Sequence, residues 1–295
     1  MIPEDQLWPV GDAYDFHCTT SRDALHDLNE LKTVIEKRHG GASDVEDFLR
    51  KAHFIDYEGT RAMIEAHRVN VPRSTGVIQW MLNSAWPSLY WQMYDWYLVP
   101  VSSYWSVKKG CAPQQLIYNY GDKHVYAVND EKEDMDLKAF MTVYGLDGNI
   151  LSDAKCDVEM AAGSSIKVFE TPELDKIGFV FLRLEDAKGN VVSRNEYCLA
   201  EVMDKHNWEK YRWWRTQIES YADFTALNDL TAAEVTAETV KTDNGLEVTL
   251  ENRSSVVAFF IRMSLKDDTG NLVVPAFWSD NLVTLAPGEK LTFSC

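Results

Sequence analysis

Residues 80–105 hold the densest group of side chains in the sequence that could bind a ligand. Nine of these 26 residues are aromatic, against 12% of the whole chain. Aromatic faces stack on the apolar C–H faces of sugar rings, and Asn83, Gln92 and Asp95 could hydrogen-bond hydroxyl or amino groups. Packing is the alternative role for any one ring, but for the group as a whole we predict a carbohydrate site. The aromatic residues are Trp80, Trp86, Tyr90, Trp91, Tyr94, Trp96, Tyr97, Tyr104 and Trp105.

Histidine and cysteine form no pattern that indicates a metal or redox site. The histidines never stand at i, i+4 with a carboxylate base, and the cysteines are scattered and never form C-x-x-C. The G-x-S-x-G, P-loop and G-x-G-x-x-G motifs are also missing from the sequence. We therefore predict no catalytic residue of these types, no metal and no cofactor. The residues concerned are His17, His26, His39, His53, His67, Cys18, Cys111, Cys156, Cys198 and Cys295.

A second aromatic run lies at residues 208–215, where Trp208, Tyr211, Trp213 and Trp214 stand among arginines. An aromatic platform for a polysaccharide is one interpretation of this run. The run stands between two regions of β pattern. We therefore predict that its tryptophans are mostly buried where those regions meet.

Composition limits the kinds of partner. The 295 residues are 45% apolar and 25% charged, which is typical of a globular protein with two or three domains. The net charge of −17 argues against a nucleic-acid partner, which would require a basic face. No apolar run reaches the roughly 18–20 residues of a membrane helix, so we predict no membrane partner. The first residues also lack the pattern of a signal peptide.

The first part of the chain has a helical pattern. Apolar residues recur at helical spacing over residues 20–38, and Gly40 and Gly41 follow as a stop. A capping box of Ser43 and Glu46 predicts a second helix, which runs to about Arg68. Residues 104–110 predict the start of another helix. The predicted buried stripe of the second helix is Val45, Phe48, Leu49, Ala52, Ile55, Ala62, Met63 and Ala66.

Residues 76–82 read GVIQWML, a mostly apolar run that predicts a strand buried on both faces. A lone strand leaves buried backbone groups unpaired, and residues 1–75 offer no second convincing strand. Either the run is helical, or its partner strands lie in sequence outside this chain. We favour the second interpretation, in which this is the tail of an α/β barrel. The aromatic stretch then follows the carboxyl end of the strand, where barrel enzymes carry their active-site loops.

Two β regions follow. About six strands with period two occupy residues 114–201, and a further β region occupies residues 233–295. The sequence therefore predicts a multidomain α/β plus all-β protein, the end of an α/β barrel followed by two β-sandwich domains. The predicted domains are 1–112 (barrel part), 113–202 (first sandwich), 203–232 (aromatic-rich connection) and 233–295 (terminal sandwich).

Residues 76–95, GVIQWMLNSAWPSLYWQMYD, resemble the last barrel strand and loop of glycoside hydrolase family 2, above all its exo-β-D-glucosaminidase branch. The likeness covers nearly the whole chain. Its other motifs are IPEDQLWP at 2–9, the helix that holds Tyr57, Glu58, Glu65 and His67, the segment 104–109, SRNEY at 193–197, the segment 274–281 and LAPGE at 285–289.

This resemblance implies the C-terminal end of a TIM (β/α)8 barrel followed by two immunoglobulin-like β-sandwich domains. It also implies a retaining glycosidase with two catalytic carboxyl groups, one of them the nucleophile. The motif at 2–9 matches sequence that follows the nucleophile, so both catalytic glutamates are expected upstream and none in this chain. The isolated chain should then be inactive. Trp80 and Asn83 are expected to line the sugar subsite, and we add Asp95 as a substrate-binding residue. The implied partners are an oligosaccharide substrate and the upstream barrel sequence, and the family implies a secreted or periplasmic location.

The substrate class stays open between two sugars. The β-mannosidases of the family typically have aspartate at the position of Ser84, so this serine favours the exo-β-D-glucosaminidase branch and chitosan oligosaccharides. A β-mannosidase or endo-β-mannosidase relative is one alternative. A non-catalytic carbohydrate-binding or scaffold protein is the other.

Overall fold

The computed structural model describes residues 1–19, 26–212, 215–243 and 245–295. The helices are the 3-10 helix Glu4–Gln6, α1 (Asp12–Asp15), α2 (Asn29–His39), α3 (Val45–Val69), α4 (Ser102–Gly110) and the 3-10 helix Thr225–Asp229. The strands are β1 (Gln114–Asn119), β2 (His124–Asn129), β3 (Met135–Gly145), β4 (Ile150–Met160), β5 (Ser164–Glu170), β6 (Ile177–Glu185), β7 (Val191–Ala200), β8 (Lys205–Arg212), β9 (Arg215–Ser220), β10 (Val235–Thr242), β11 (Gly245–Asn252), β12 (Ala258–Ile261), β13 (Val283–Leu285) and β14 (Lys290–Ser294). Within the described ranges, no helix is long and apolar enough to cross a membrane.

The first two long helices confirm the predicted pair, with changes at their starts. Helix α2 begins at Asn29 and not at residue 20, and residues 20–25 lie outside the described part of the chain. Its last residue is His39, and the following Gly40 caps the helix in the left-handed conformation with φ of 73°. Helix α3 is capped by Asp44, whose side chain accepts a hydrogen bond from the Asp47 backbone N–H at 2.9 Å. The cap therefore lies one residue later than the predicted capping box.

The predicted buried stripe of α3 is confirmed only in part. Phe48 is buried, and the half-buried Ala52 and Ile55 pack against the same core. Some of the other predicted positions are exposed. Leu49 and Met63 are 43% and 57% exposed, respectively. The helix instead buries a face that carries charged side chains, because these side chains find partners on the sandwich strands and on neighbouring segments. The buried residues of α3 are Phe48, Lys51, Phe54, Tyr57, Glu58, Thr60, Arg61, Ile64, Glu65, Arg68 and Val69.

The predicted buried strand at residues 76–82 is not formed. The segment lies outside every strand, and Ile78, Trp80 and Leu82 are 96%, 72% and 61% exposed. Strand geometry needs a hydrogen-bonded neighbour, and the described residues before it offer none. Helix α4 follows at Ser102–Gly110, which confirms the helix predicted there.

Strands β1–β7 form an immunoglobulin-like sandwich of two antiparallel sheets, ordered β1-β2-β5 and β4-β3-β6-β7. The sequence predicts about six strands here, and the structure has seven. Side chains alternate between buried and outward positions along β3, as the period-two pattern predicts. The core between the sheets includes Leu116, Val125, Met141, Leu182 and Leu199.

Strands β10–β14 form the second immunoglobulin-like unit, with sheets ordered β10-β11-β14 and β12-β13. Its core includes Leu250, Val283, Leu285 and Phe293. The two sandwiches meet closely at the β3–β4 turn. A Cβ built on Gly148, whose φ is +80°, would lie 1.9 Å from the Ser255 carbonyl oxygen, so this contact requires glycine.

Strands β8 and β9 follow the first sandwich and precede the second along the chain, and they form a hairpin. In the described residues, each of the two strands pairs only with the other. Trp208 is 70% exposed and Tyr211 is 52% exposed. The predicted burial of the aromatic run is therefore wrong at Trp208, because a two-stranded hairpin without a covering layer leaves its side chains open to solvent. Trp213 and Trp214 lie outside the described residues.

Candidate functional site

Backbone hydrogen bonds shape the segment between Trp80 and α4 into an ordered loop. The Met81 N–H donates to the Trp91 carbonyl at 2.7 Å, and the Tyr94 N–H donates to the Leu82 carbonyl at 3.0 Å. Asn83 and Tyr94 also form an isolated β-bridge. The segment that carries Trp80 is thereby tied to the segment that leads to Asp95.

The structure places the three predicted substrate-binding residues on this loop, with Trp80 and Asn83 exposed and Asp95 half-buried. The Trp80 ring is 72% exposed, and the Trp80–Met81 peptide bond is cis. Asn83 is exposed and makes one long contact from Nδ2 to the Ser84 carbonyl at 3.5 Å. Asp95 accepts the N–H groups of Tyr97 and Val99 on Oδ1 at 2.8 and 2.9 Å. The turn therefore fixes the orientation of the Asp95 carboxylate.

The nine aromatic residues of the stretch divide into two groups. Trp105 is 3% exposed and belongs to the core of the terminal sandwich, and Tyr104 packs edge-on against it with ring centroids 4.9 Å apart. Tyr90 donates from its hydroxyl to the Asp27 carbonyl at 2.7 Å, and burial raises its pKa. Packing is thus the role of these three rings and of the half-buried Tyr94, whose ring centroid lies 5.0 Å from that of Tyr104. The rings that remain more than two-fifths exposed are Trp80, Trp86, Trp91, Trp96 and Tyr97.

Helix α4 holds the loop at its own first turn. The Val101 N–H donates to the Met93 carbonyl at 3.0 Å, and the Ser103 hydroxyl donates to the Gln92 carbonyl at 3.4 Å. The Ser102 hydroxyl donates to Asp56 Oδ2 on α3 at 2.6 Å. The end of the loop and the start of α4 are therefore fixed to α3 as one unit.

The last turn of α4 is fixed to both sandwiches. Lys109 Nζ lies 2.8 Å from Glu196 Oε1 on β7 and 3.4 Å from Asp280 Oδ2 in the terminal unit. Arg194 joins Glu196 at 3.0 Å and Glu289 at 2.8 Å. Although burial opposes ionisation of Glu196, Arg194 and Lys109 lower the pKa of its carboxyl to about 2. The junction therefore holds charged groups that are paired in a buried site.

Sequence reasoning missed a second buried network, which joins α3 to the first sandwich. Glu65 is 1% exposed and accepts hydrogen bonds from Asn195 Nδ2 at 2.9 Å and from the Tyr197 hydroxyl at 2.7 Å. Arg61 donates to Asn195 Oδ1 at 3.0 Å, and its guanidinium lies 4.0 Å from the centroid of the Tyr197 ring. A pattern in the sequence could have indicated this network. Arg61 stands three residues after Glu58 and four residues before Glu65, so the three side chains share one face of the helix.

The described residues do not form a metal centre, since they contain no group of three or more His, Cys, Asp or Glu that could hold an ion. A cavity of about 50 Å³ lies where α4 meets the terminal sandwich, lined among others by His53, Pro100 and Trp278. Ligand pockets are typically about 300 Å³ or larger. This cavity is therefore too small for a sugar, and the loop around Trp80 is the candidate site on its residue types and exposure.

Known domain families match the two sandwiches, and known proteins match nearly the whole chain. An exo-β-D-glucosaminidase Ig-fold domain family matches residues 213–295, and a mannosidase Ig/CBM-like domain family matches residues 121–204. The exo-β-D-glucosaminidase of Hypocrea jecorina is 35% identical over 97% of this chain and 34% of its own length. That of Amycolatopsis orientalis is 33% identical over 98% of this chain and 30% of its own.

Solved structures agree with these matches. The Amycolatopsis orientalis exo-chitosanase CsxA superposes with a TM-score of 0.90 at 31% identity, over 99% of this chain and 37% of that one. A β-D-mannosidase from Dictyoglomus thermophilum has a TM-score of 0.76 at 20% identity, over 99% of this chain and 33% of that one, which shows the shared fold alone.

The chain resembles the C-terminal part of the multidomain glycoside hydrolases of family 2, since its two immunoglobulin-like sandwiches match domain families of such enzymes. Over nearly the whole of its length, the chain is homologous to exo-β-D-glucosaminidases. It spans about a third of the length of the curated relatives it matches.

Proposed function

We propose that this chain is the C-terminal portion of a retaining exo-β-D-glucosaminidase that acts on chitosan oligosaccharides. The observation that carries the proposal is the 35% identity to an exo-β-D-glucosaminidase across 97% of the chain, together with a Trp80 ring that is open to solvent. The catalytic glutamates lie outside this chain, in the remainder of the protein. One carboxyl group acts there as acid/base, and the second is the nucleophile.

Residues 1–112 form the end of the catalytic barrel in this proposal. Exposed apolar side chains support this part of the proposal. Four of them are at least 43% exposed, namely Leu49 and Met63 on α3 and Ile78 and Leu82 in the segment 76–82. Exposed apolar surface of this kind marks a contact with another part of a protein. Residues 76–82 would become a barrel strand once neighbouring strands supply hydrogen-bond partners. The other proposed units are the sandwiches 113–202 and 233–295 and the connection 203–232.

The sugar site is built on the loop between residues 80 and 101. Trp80 offers its ring face to the C–H face of the sugar in the cleavage subsite. Asn83 hydrogen-bonds a hydroxyl group, and Asp95 offers a carboxylate to the protonated amine of glucosamine, with its Oδ1 oriented by two backbone N–H groups. A solved complex of the Amycolatopsis orientalis enzyme with PNP-β-D-glucosamine supports this class of substrate.

A β-mannoside is the second candidate substrate. The mannosidase-type family match of the first sandwich favours it. A mannoside has no amine, so the carboxylate of Asp95 would gain no ionic partner from it. Ser84, which stands where the β-mannosidases typically have aspartate, also favours the glucosaminide.

The test is a panel of substrates for the full-length protein that contains this chain. We expect kcat/KM to be highest for an aryl β-D-glucosaminide and lower for the β-mannoside and β-glucoside. We also expect release of glucosamine from one end of chitosan oligosaccharides. A preference for the mannoside would support the second candidate, and a lack of hydrolysis of every glycoside would support a carbohydrate-binding or scaffold role.

A further inference from the structure

Helix α4 connects the sugar-contacting loop to the junction of the two sandwiches. Its first turn holds the loop through the hydrogen bond from the Val101 N–H to the Met93 carbonyl. Its last turn, about 10 Å further along the axis at 1.5 Å per residue, carries Lys109. The same helix therefore touches the candidate site at one end and the β domains at the other.

We propose that Lys109 is a positioning residue for the sugar site, which fixes α4 between the two sandwiches and thereby holds the loop that bears Trp80, Asn83 and Asp95. This inference rests on the proposed function. It assigns the β-sandwiches a role in substrate binding, although the side chains proposed to bind the sugar all lie on the loop outside them.

The contacts of Lys109 suit this role because they join three parts of the chain at one atom. Its Nζ binds Glu196 of the first sandwich at 2.8 Å and Asp280 of the terminal unit at 3.4 Å. The side chains of Lys109 and Glu196 are each only 6% exposed, so solvent screens the pair weakly. Neighbouring Lys108 adds contacts to the carbonyls of Trp278 and Ser279 at 3.2 and 2.6 Å.

The other end of α4 has little freedom to absorb a shift. Ser102 is hydrogen-bonded to Asp56 and lies 3.0 Å from His53 Nδ1. At the last turn itself, Gly110 packs against α3, and a Cβ there would lie 3.1 Å from Ile64 Cγ2. Because α4 is one continuous helix of nine residues, we expect a displacement of its last turn to strain these contacts and the hydrogen bond between Val101 and Met93.

Two variants of the full-length protein test the inference, with one matched control. Lys109→Met removes the shared cation, and Asp280→Asn removes one of its partners in a milder way that preserves the Glu196 pair. The control is Arg38→Met, which breaks another buried ion pair, Arg38–Glu58 at 2.5 Å with 4% and 8% exposed side chains. No described contact of Arg38 involves α4 or the loop.

The first readout is hydrogen exchange of the peptide that spans residues 88–101. We expect exchange to rise at least about threefold in Lys109→Met, to rise less in Asp280→Asn and to stay unchanged in Arg38→Met. The second readout is steady-state kinetics on an aryl β-D-glucosaminide. We expect KM to rise about tenfold in Lys109→Met with kcat within about threefold, since loss of loop position removes binding common to ground state and transition state.

The two readouts separate failure of this inference from failure of the proposed function. Unchanged exchange in both variants would overturn the positioning role whatever the activity. Raised exchange with an unchanged KM would also overturn it, because the loop would then not bind the sugar. Equal effects in Arg38→Met would show a general loss of stability and overturn it as well. If the unmodified protein hydrolyses no glucosaminide, the proposed function fails, and this inference fails with it.

Discussion

Removal of the Glu65 carboxylate should strongly destabilise the fold, because it leaves a buried cation without its acid. Glu65 accepts from Asn195 and Tyr197 and lies 4.0 Å from the Nε atom of Arg61, whose side chain is 3% exposed. Breaking a buried ionic network by removing one partner costs about 3–5 kcal/mol. We therefore expect Glu65→Leu to lower the free energy of unfolding of this chain by about 3–5 kcal/mol.

Urea unfolding followed by circular dichroism measures this loss. With an m-value of about 2 kcal/mol/M, the midpoint should fall by about 1.5–2.5 M. The double variant Arg61→Met/Glu65→Leu should be less destabilised than Glu65→Leu, since it leaves no lone charge. Glu46→Leu, at an exposed position of the same helix, should change stability by less than about 0.5 kcal/mol. A loss below about 1 kcal/mol in Glu65→Leu, or a double variant less stable than the single one, would refute this reasoning.

Three further predictions concern pH, exposure and activity. Burial lowers the pKa of His39 to about 4. As the pH falls below about 6.5, the unfolded state therefore binds the proton before the folded state does. The free energy of unfolding should drop by up to about 3 kcal/mol between pH 6.5 and 4. His39→Phe should weaken this pH dependence in urea titrations, and an unchanged slope would contradict the assignment. Trp208→Ala should alter the free energy of unfolding by less than about 0.5 kcal/mol, whereas a loss above about 2 kcal/mol would show that the ring is buried. The isolated chain should hydrolyse neither aryl glycosides nor chitosan oligosaccharides, and steady release of sugar that stops when one of its own glutamates is mutated would contradict the upstream location of the catalytic pair.

The sandwiches were predictable because their signals are local. Alternating side chains along β3 and turn residues such as Asp147 and Gly148 specify strands and hairpins within a few positions of each other. The structure confirms both immunoglobulin-like units. The hairpin of β8 and β9 shows the limit of such local signals. They can predict that the two strands pair, as Arg212 pairs with Arg215, but they do not predict whether another layer covers the hairpin.

The buried face of α3 could not be predicted from apolar spacing alone. Glu65 is buried because Asn195 and Tyr197 lie against it, and these residues stand about 130 positions later in the sequence. The apolar Met63 is exposed because no described residue covers it. The same reason explains residues 76–82, whose strand pattern needs partners that the described part of the chain does not supply. The candidate site residues Trp80, Asn83 and Asp95 stay predictions that rest on residue type, loop position and resemblance.

The central claim is that the Trp80 loop of this chain is part of the sugar site of a glucosaminidase. Its most direct test is the kcat/KM of the full-length protein and of its Trp80→Ala variant on an aryl β-D-glucosaminide. Loss of a major site contact should cost about 2–4 kcal/mol of transition-state stabilisation, which lowers kcat/KM by about 30-fold to 1,000-fold. A variant with nearly unchanged kcat/KM would contradict the claim and show that the Trp80 ring does not contact the sugar.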